Sequence, residues 1–427
     1  MSRLHVVCAG LVVLAWASGA NAEEASLLDA VKAGKPLLEI RARYERYDQT
    51  KTATLRNNAK GTTVRTRFGW ETGAWHDVKA LIEFDDVRRV GPEHFAITTP
   101  GVSTPLNGAD KARFPAINDP NVTEVNRAQL QWTPSKALQL TAGRQKIQFD
   151  DQRFVAAAAW RQDEQTYDGL RADLSLSRFK GTYVYVTRVN RALGERRDWD
   201  SDSHFVNASW TFSEALKATG FVYALDFSDS PLNTSITKGV RGAGKAKAGP
   251  YTLTYSGGFA RQSDYHRATA DYELDYLGGE IAATRGIYTA QLGYHTLEGD
   301  GARGFGAPLG AAHGFYGWAD AWSSLGGNKS FSDGLDDLNF TVTLKPKFKA
   351  RNFSSPELLV RYHDFDDDRT GADLGHEWNA QLTATIAPKL SAQLKYAGFD
   401  RVTSVPTGTP APPASRKKVW FTLEYKL

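Results

Sequence analysis

Arginines stand at alternate positions in short, partly apolar stretches: Arg41 with Arg43, Arg65 with Arg67, and Arg127, Arg171 and Arg361 each in its own. A guanidinium stays charged at any ordinary pH and offers a planar fork of donors matched to carboxylates and phosphates, where lysine is a bare point charge. Set around a water-filled passage, such groups select solutes by sign. The same chain carries Glu39, Glu45, Glu71, Glu83, Asp85 and Glu377, which can pair with the arginines and brace an inner wall instead. Residue types alone leave a cationic constriction and a neutralised scaffold both open.

What positions these groups is a two-residue period. Leu38, Ile40, Ala42 and Tyr44 share one face of the first segment, leaving Glu39, Arg41, Arg43 and Glu45 on the other. In the second, Val64, Thr66, Phe68 and Trp70 oppose Arg65, Arg67 and Glu71. The same reading sets Arg127 and Gln129 against Ala128, Leu130 and Trp132, and Arg171 against Leu170, Ala172 and Leu174. Arg361 and His363 oppose Leu358, Val360 and Tyr362, and Lys395 opposes Leu394 and Tyr396. With the apolar faces turned to lipid, the cations line a lumen. The phase fails at Arg144, which Leu138, Leu140 and Ala142 carry to the lipid side at a cost of ~2–4 kcal/mol near the midplane. A bulge at Gly143 is expected to turn it inward. Arg188 is ambiguous, since both faces of its stretch are apolar.

The final stretch, 416–427, alternates in the same way, with Val419, Phe421, Leu423, Tyr425 and Leu427 on one face and Trp420, Thr422, Glu424 and Lys426 on the other. This is the pattern of a lipid-facing barrel strand. Leu427 occupies the place of the usual terminal aromatic, which the barrel-assembly machinery reads. At the other end, Arg3, the apolar run 6–16 and Ala20-Asn21-Ala22 predict a secretory leader over residues 1–22. Cys8 lies inside the apolar run, with too little ahead of it for a lipoprotein signal. Cleavage after Ala22 removes the only cysteine and the only methionine. A short helix is expected over 25–32, within a periplasmic segment spanning 23–36.

The chain is 41% hydrophobic with a mean hydropathy of −0.43. Beyond the leader it has no apolar run of about 18 residues, which excludes helical membrane spans. A formal charge of +4 is too small to argue for nucleic acid. From Leu37 onward, about eighteen alternating segments of roughly 10–14 residues follow one another, the length of tilted barrel strands. Several connections are tight (75–77, 134–137, 177–178, 213–215, 286 and 388–389), whereas others are long (90–123, 149–165, 298–331 and 402–415). Short turns on one rim and long loops on the other predict an all-β, transmembrane antiparallel barrel over 37–427, with short periplasmic turns and long extracellular loops. No fixed short repeat supports a β-helix. The period is weakest over 235–248, where glycine and lysine blur it.

Other constellations carry less. The run 363–368 alternates oxygen ligands, but Arg369 and Gly375 stand where a calcium loop wants glycine and glutamate, so a solvated acidic loop is expected. Tyr255-Ser256-Gly257 lacks the glycine that precedes a serine nucleophile elbow, and a hydrolase is the weaker rival. Neither metal nor cofactor is expected. Trp318 and Trp322 suit stacking on sugar rings, or anchoring of their loop at the membrane interface. With no plug-sized domain ahead of Leu37, the passage is expected to be narrowed by side chains or by 149–165 and 298–331 folding inward.

Several stretches resemble the alginate-export family of outer-membrane porins. The most specific are GRQKIQFDDQRFV (143–155) and WRQDEQTYDGLR (160–171). LEIRARYE (38–45), NDPNVTEVNRAQL (118–130), HGFYGWADAW (313–322), GLDDLN (334–339), YHDF (362–365) and GHEW (375–378) extend the likeness, in order, over nearly the whole mature chain. The resemblance implies an eighteen-stranded barrel whose arginine-rich pore passes an anionic polysaccharide or its fragments without an energy source. By position it adds Arg144, Arg153, Arg161 and Arg171 to the pore, with Asp150, Asp151 and Asp163 as acidic neighbours. The family also includes general sugar and organic-anion uptake pores, so cargo and direction stay open. Implied partners are an anionic saccharide and the lipid and lipopolysaccharide of the outer membrane.

Overall fold

The computed structural model describes residues 26–98, 104–322 and 332–427. The leader expected at 1–22, with Cys8, lies outside them. The expected helix is α1 (Leu27–Lys32), started by a capping box in which Ser26 and Asp29 exchange hydrogen bonds.

The alternating segments become strands: β1 (Lys35–Gln49), β2 (Ala59–Glu71), β3 (Val78–His94), β4 (Val122–Ser135), β5 (Leu138–Gln145) and β6 (Thr166–Leu176). Then come β7 (Phe179–Asn190), β8 (Trp199–Ser213), β9 (Leu216–Leu225), β10 (Ser235–Ala248), β11 (Tyr251–Ser263), β12 (Glu273–Arg285) and β13 (Tyr288–Leu297). Last are β14 (Leu335–Leu344), β15 (Lys349–Ala350), β16 (Phe353–Asp366), β17 (Asp373–Ala387), β18 (Leu390–Arg401) and β19 (Arg416–Lys426). Each long strand pairs antiparallel with its neighbours in sequence, and β19 closes onto β1 with Tyr44 opposite Phe421. The two-residue β15 only leans on β16, while β14 pairs directly with β16, so eighteen strands form the closed barrel. Closure leaves no open sheet edge in lipid, which a membrane requires.

Several of the tight turns place non-glycine residues in the left-handed region, among them His76, Asp77, Ser177 and Lys389. The blurred stretch 235–248 forms β10, in unbroken register with β9 and β11. On the outer face Ile40, Phe68, Ile82, Leu130, Leu170 and Phe421 are exposed, as lipid-facing residues are in an isolated chain. The main apolar core lies inside the barrel. Phe205, Phe221, Tyr223, Tyr276, Phe365, Phe399 and Trp420 turn inward and pack with loop residues Ile147, Phe305, Leu309 and Trp318. Burying each such side chain contributes ~1.5–3 kcal/mol. That apolar surface fastens the loops to the wall.

Candidate functional site: a lumen narrowed by two loops

Residues 146–165 touch strands on opposite sides of the barrel. Arg161 donates to Glu45 on β1 at 2.6 Å, and the Gln162 amide to Thr63 Oγ1 on β2 at 2.8 Å. Phe149 stacks on Tyr223 of β9, Phe154 meets Tyr276 of β12 edge-on, and Trp160 meets Trp420 of β19 edge-on. A segment reaching β1, β2, β9, β12 and β19 at once can do so only from within the ring. The loop that follows β13 also enters. Its Trp318 and Ala319 backbone N–H groups donate to Asn379 and Glu377 of β17, and Trp322 packs on Phe365 and Phe399.

The two loops are knitted together. Ala156 N–H donates to the Leu309 carbonyl at 2.9 Å, and Ala311 N–H to that of Gln152 at 3.0 Å. The Trp160 indole stacks on His313 with ring centroids 3.8 Å apart. Asp150, Gln152, Ala158 and Asp320 adopt positive φ in these loops, a cost of about 1–3 kcal/mol each that the surrounding packing must offset.

The arginines expected in the lumen divide by partner. Arg41 pairs with Glu424 at 2.8 Å and donates to the carbonyls of Ala159 and Arg161. Arg65 is fully buried against Glu39, and Arg67 binds Asp85 at 2.6 Å and the loop's Glu164 at 3.1 Å. Arg127 makes a two-pronged pair with Glu83, and Arg171 with Asp173. Arg161 sits between Glu45 and Asp119. Arg43 donates to the Trp160 carbonyl at 2.7 Å beneath that indole, and Arg361 to Thr341 and to the Gly314 carbonyl. Arg153 rests on the Phe315 ring at 4.0 Å and reaches His295 at 3.2 Å. Of the acidic residues, Asp150 accepts from Asn207, Asp151 pairs with Arg241, and Asp163 caps the Glu164 N–H.

Arg144 departs from expectation. Pairing runs through Gly143 without a shift on either side, so no bulge is present there, although Gly143 has φ +109°. Register keeps Arg144 beside Ala128 on the outer face. Asp168, directly opposite, holds its guanidinium at 2.8 and 3.0 Å, and the Val125 carbonyl accepts a third bond. A paired carboxylate does the work expected of the bulge. Anchoring of Trp318 and Trp322 at the membrane interface is likewise corrected, since both are buried inside the barrel. The run 363–368 is not a loop throughout: His363, Asp364, Phe365 and Asp366 belong to β16, and their side chains alternate between faces. His363 turns inward to Asp337 at 2.7 Å. Among the described residues no group of three or more potential metal ligands gathers. Arg188 pairs with Asp198.

Sequence reasoning overlooked Arg241 and Lys146. The first lay in the blurred stretch that forms β10. The second anchors Glu164 at 2.8 Å from just past the end of β5. Lys395, read only as a lumenal cation, has its ammonium 3.7 Å from the Trp318 ring, 3.9 Å from that of Trp160 and 2.9 Å from His313 Nε2.

Charge in the loops follows from these neighbours. Burial alone would push Glu164 up, but Arg67, Lys146 and the Asn126 amide outweigh it and pull the carboxyl down to about 2. Burial and the carboxylates Glu124 and Asp85 push Asp163 well above the ordinary carboxylate range. Burial opposes the charge on Arg161 too, yet Asp119 and Glu45 keep the guanidinium protonated. Burial, with Lys395 alongside, holds His313 down to about 3 against the pull of Asp320.

A closed antiparallel barrel of eighteen strands, apolar outside and filled by inward-folded loops, is an outer-membrane porin. The chain belongs to the alginate-export family, whose model matches residues 37–319. Solved structures share the fold. OpdK of Pseudomonas aeruginosa, solved with vanillate, is 15% identical with a TM-score of 0.68, covering 93% of this chain and 99% of its own. OpdO of the same organism is 14% identical at a TM-score of 0.67, covering 94% and 98%. OccAB4 of Acinetobacter baumannii is 13% identical at 0.66, covering 92% and 98%. No curated protein matches the sequence. Family and fold place the protein in the bacterial outer membrane, as a channel.

Proposed function

We propose that this protein is a passive channel whose cationic lumen translocates anionic, carboxylate-bearing saccharides of the alginate type. One observation carries the reading. Among the described residues, Arg43, Arg361 and Lys395 have no carboxylate within ion-pair distance, and all three converge on the point where the two loops meet. Elsewhere in the lumen arginine and carboxylate largely cancel. Here the Arg43 guanidinium, without an ion-pair partner, lies over the Trp160 ring, and Lys395 sits between that ring and Trp318, in an interior where Coulomb attraction exceeds its value in water. Carboxylates spaced along a uronate chain suit that charge, and the indole faces suit its sugar rings.

A second reading is uptake of small organic anions. It is favoured by the amount of lumen that the two loops and their apolar core occupy. The likeness to OpdK, solved with vanillate, is compatible with it. Blockade in planar bilayers separates the two. Oligouronates should interrupt the current with residence times that grow with chain length, while monomeric organic acids pass with brief events. Equal blockade by neutral oligosaccharides of the same size overturns the charge-based reading. Blockade by monomeric acids alone selects the second.

A further inference from the structure

Helix α1 leaves an apolar flank uncovered. Leu27, Leu28 and Val31 are 58%, 59% and 40% exposed, whereas Ala30 is buried. At 100° per residue these three side chains fall within a single arc of about 100°, with Asp29 on the far side. The helix is not loose. The Ala30 carbonyl accepts from Gly73 N–H at 2.8 Å in the turn between β2 and β3, and the Val31 carbonyl from Trp70 Nε1 at 3.0 Å. Gly34 lies so close to the Trp70 indole that a Cβ there would strike the ring.

Trp70 fixes where this flank lies. It is two residues beyond Phe68, on the same face of β2, and its cross-strand partner on β3 is Ile82. Phe68 and Ile82 are 47% and 45% exposed on the lipid-facing side of the wall. The helix therefore docks against the outside of the barrel at the rim of short turns, not beneath its mouth. Lys35, just past the helix, pairs with Glu71 at 3.5 Å at the start of β1.

We infer that α1 lies in the headgroup region of the periplasmic leaflet, with Leu27, Leu28 and Val31 inserted among phospholipid chains and Trp70 as its bracket. It adds a one-sided collar to the barrel at the point where the chain enters β1. Such a helix binds through buried apolar area, and its short length suits a lateral anchor rather than a span.

The test uses the mature full-length barrel reconstituted in phospholipid vesicles, with a nitroxide placed by Leu28→Cys, Phe68→Cys or Asp77→Cys in separate variants. Phe68 serves as the lipid-facing reference and Asp77 as the aqueous turn. Relaxation by oxygen and by a water-soluble nickel chelate reads the environment. The label at position 28 is expected to match that at 68, with an oxygen-to-nickel accessibility ratio several-fold above that at 77. A nickel-accessible label like that at 77 overturns the inference. So does a label shielded from both reagents and broadened by a second spin, which marks a second copy of the chain. Leu27→Asp with Leu28→Asp, carrying the label at Val31→Cys, keeps the test informative. Barrel mobility on gels should be unchanged while that label moves from lipid to water. No movement also overturns it.

Discussion

The imidazole of His313 lies flat on the indole of Trp160, 10° from parallel, where one inward loop meets the other. His313 Nδ1 faces Asp320 at 2.7 Å and Nε2 faces the Lys395 ammonium at 2.9 Å. The neutral ring with hydrogen on Nδ1 satisfies both neighbours, donating to Asp320 and accepting from Lys395.

Acid should therefore loosen this junction. The folded-state pKa of about 3 lies below the ordinary 6.5. The contribution of His313 is complete above about pH 6.5 and is lost progressively as pH falls toward 3. Protonation would set an imidazolium against Lys395, with Lys418, Arg43 and Arg361 nearby, Asp320 as the facing anion and the Glu377 carboxyl beyond. Hydrogen exchange of residues 305–322, followed from pH 7 to 4, should rise more steeply in the wild type than in His313→Gln. Parallel profiles would remove the histidine from the account.

Trp160→Ala should leave the barrel assembled but the constriction mobile. The stacked pair is worth about 0.5–1.5 kcal/mol beyond its buried area, and the indole also covers Arg43 and Lys395. Single-channel recordings should show larger, noisier currents. A steady, unchanged conductance would mean that the backbone knit at Ala156 and Leu309 suffices by itself.

Asp163 and Glu164 are adjacent carboxyls with opposite expected sensitivities. Glu164→Gln breaks a buried contact to Arg67 and Lys146, a loss of about 3–5 kcal/mol in loop anchoring. Asp163→Asn keeps the shape of a group whose charged form is already disfavoured at neutral pH, and it should be neutral or stabilising. Limited proteolysis of the folded barrel should cut within 149–165 in the first variant and not in the second.

Arg144→Gln tests the corrected placement. With Arg144 on the outer side opposite Asp168, its removal should leave ion selectivity unchanged while destabilising the barrel, because the Asp168 carboxylate then keeps, among the described residues, the Asn190 amide alone. A large fall in anion preference would put Arg144 back in the passage.

The lipid-facing side was legible wherever apolar residues held strict alternation, as in β1, β2 and β19, because a one-residue slip would expose every charge to lipid. In β10 glycine removed the signal: Gly239, Gly242 and Gly244 have no side chain to mark a face, and Arg241 was missed with them. Trp318 and Trp322 were ambiguous for another reason, since an indole suits a membrane interface and a packed lumen equally. At Arg144 the alternation held and the inference from charge failed. Asp168 comes from a different strand, so cross-strand register decides the pairing. Residue types allow ion pairing inside the lumen without deciding it, because loop carboxylates such as Glu164 meet the wall only after folding.

The direct measurement is the reversal potential in a salt gradient across a planar bilayer, for the wild type and for Arg43→Gln, Arg361→Gln and Lys395→Gln combined. An uncompensated cationic constriction predicts a clear anion preference in the wild type that collapses toward zero in the triple variant, with heat-modifiable mobility unchanged. A wild-type channel that shows no preference, or prefers cations, contradicts the account.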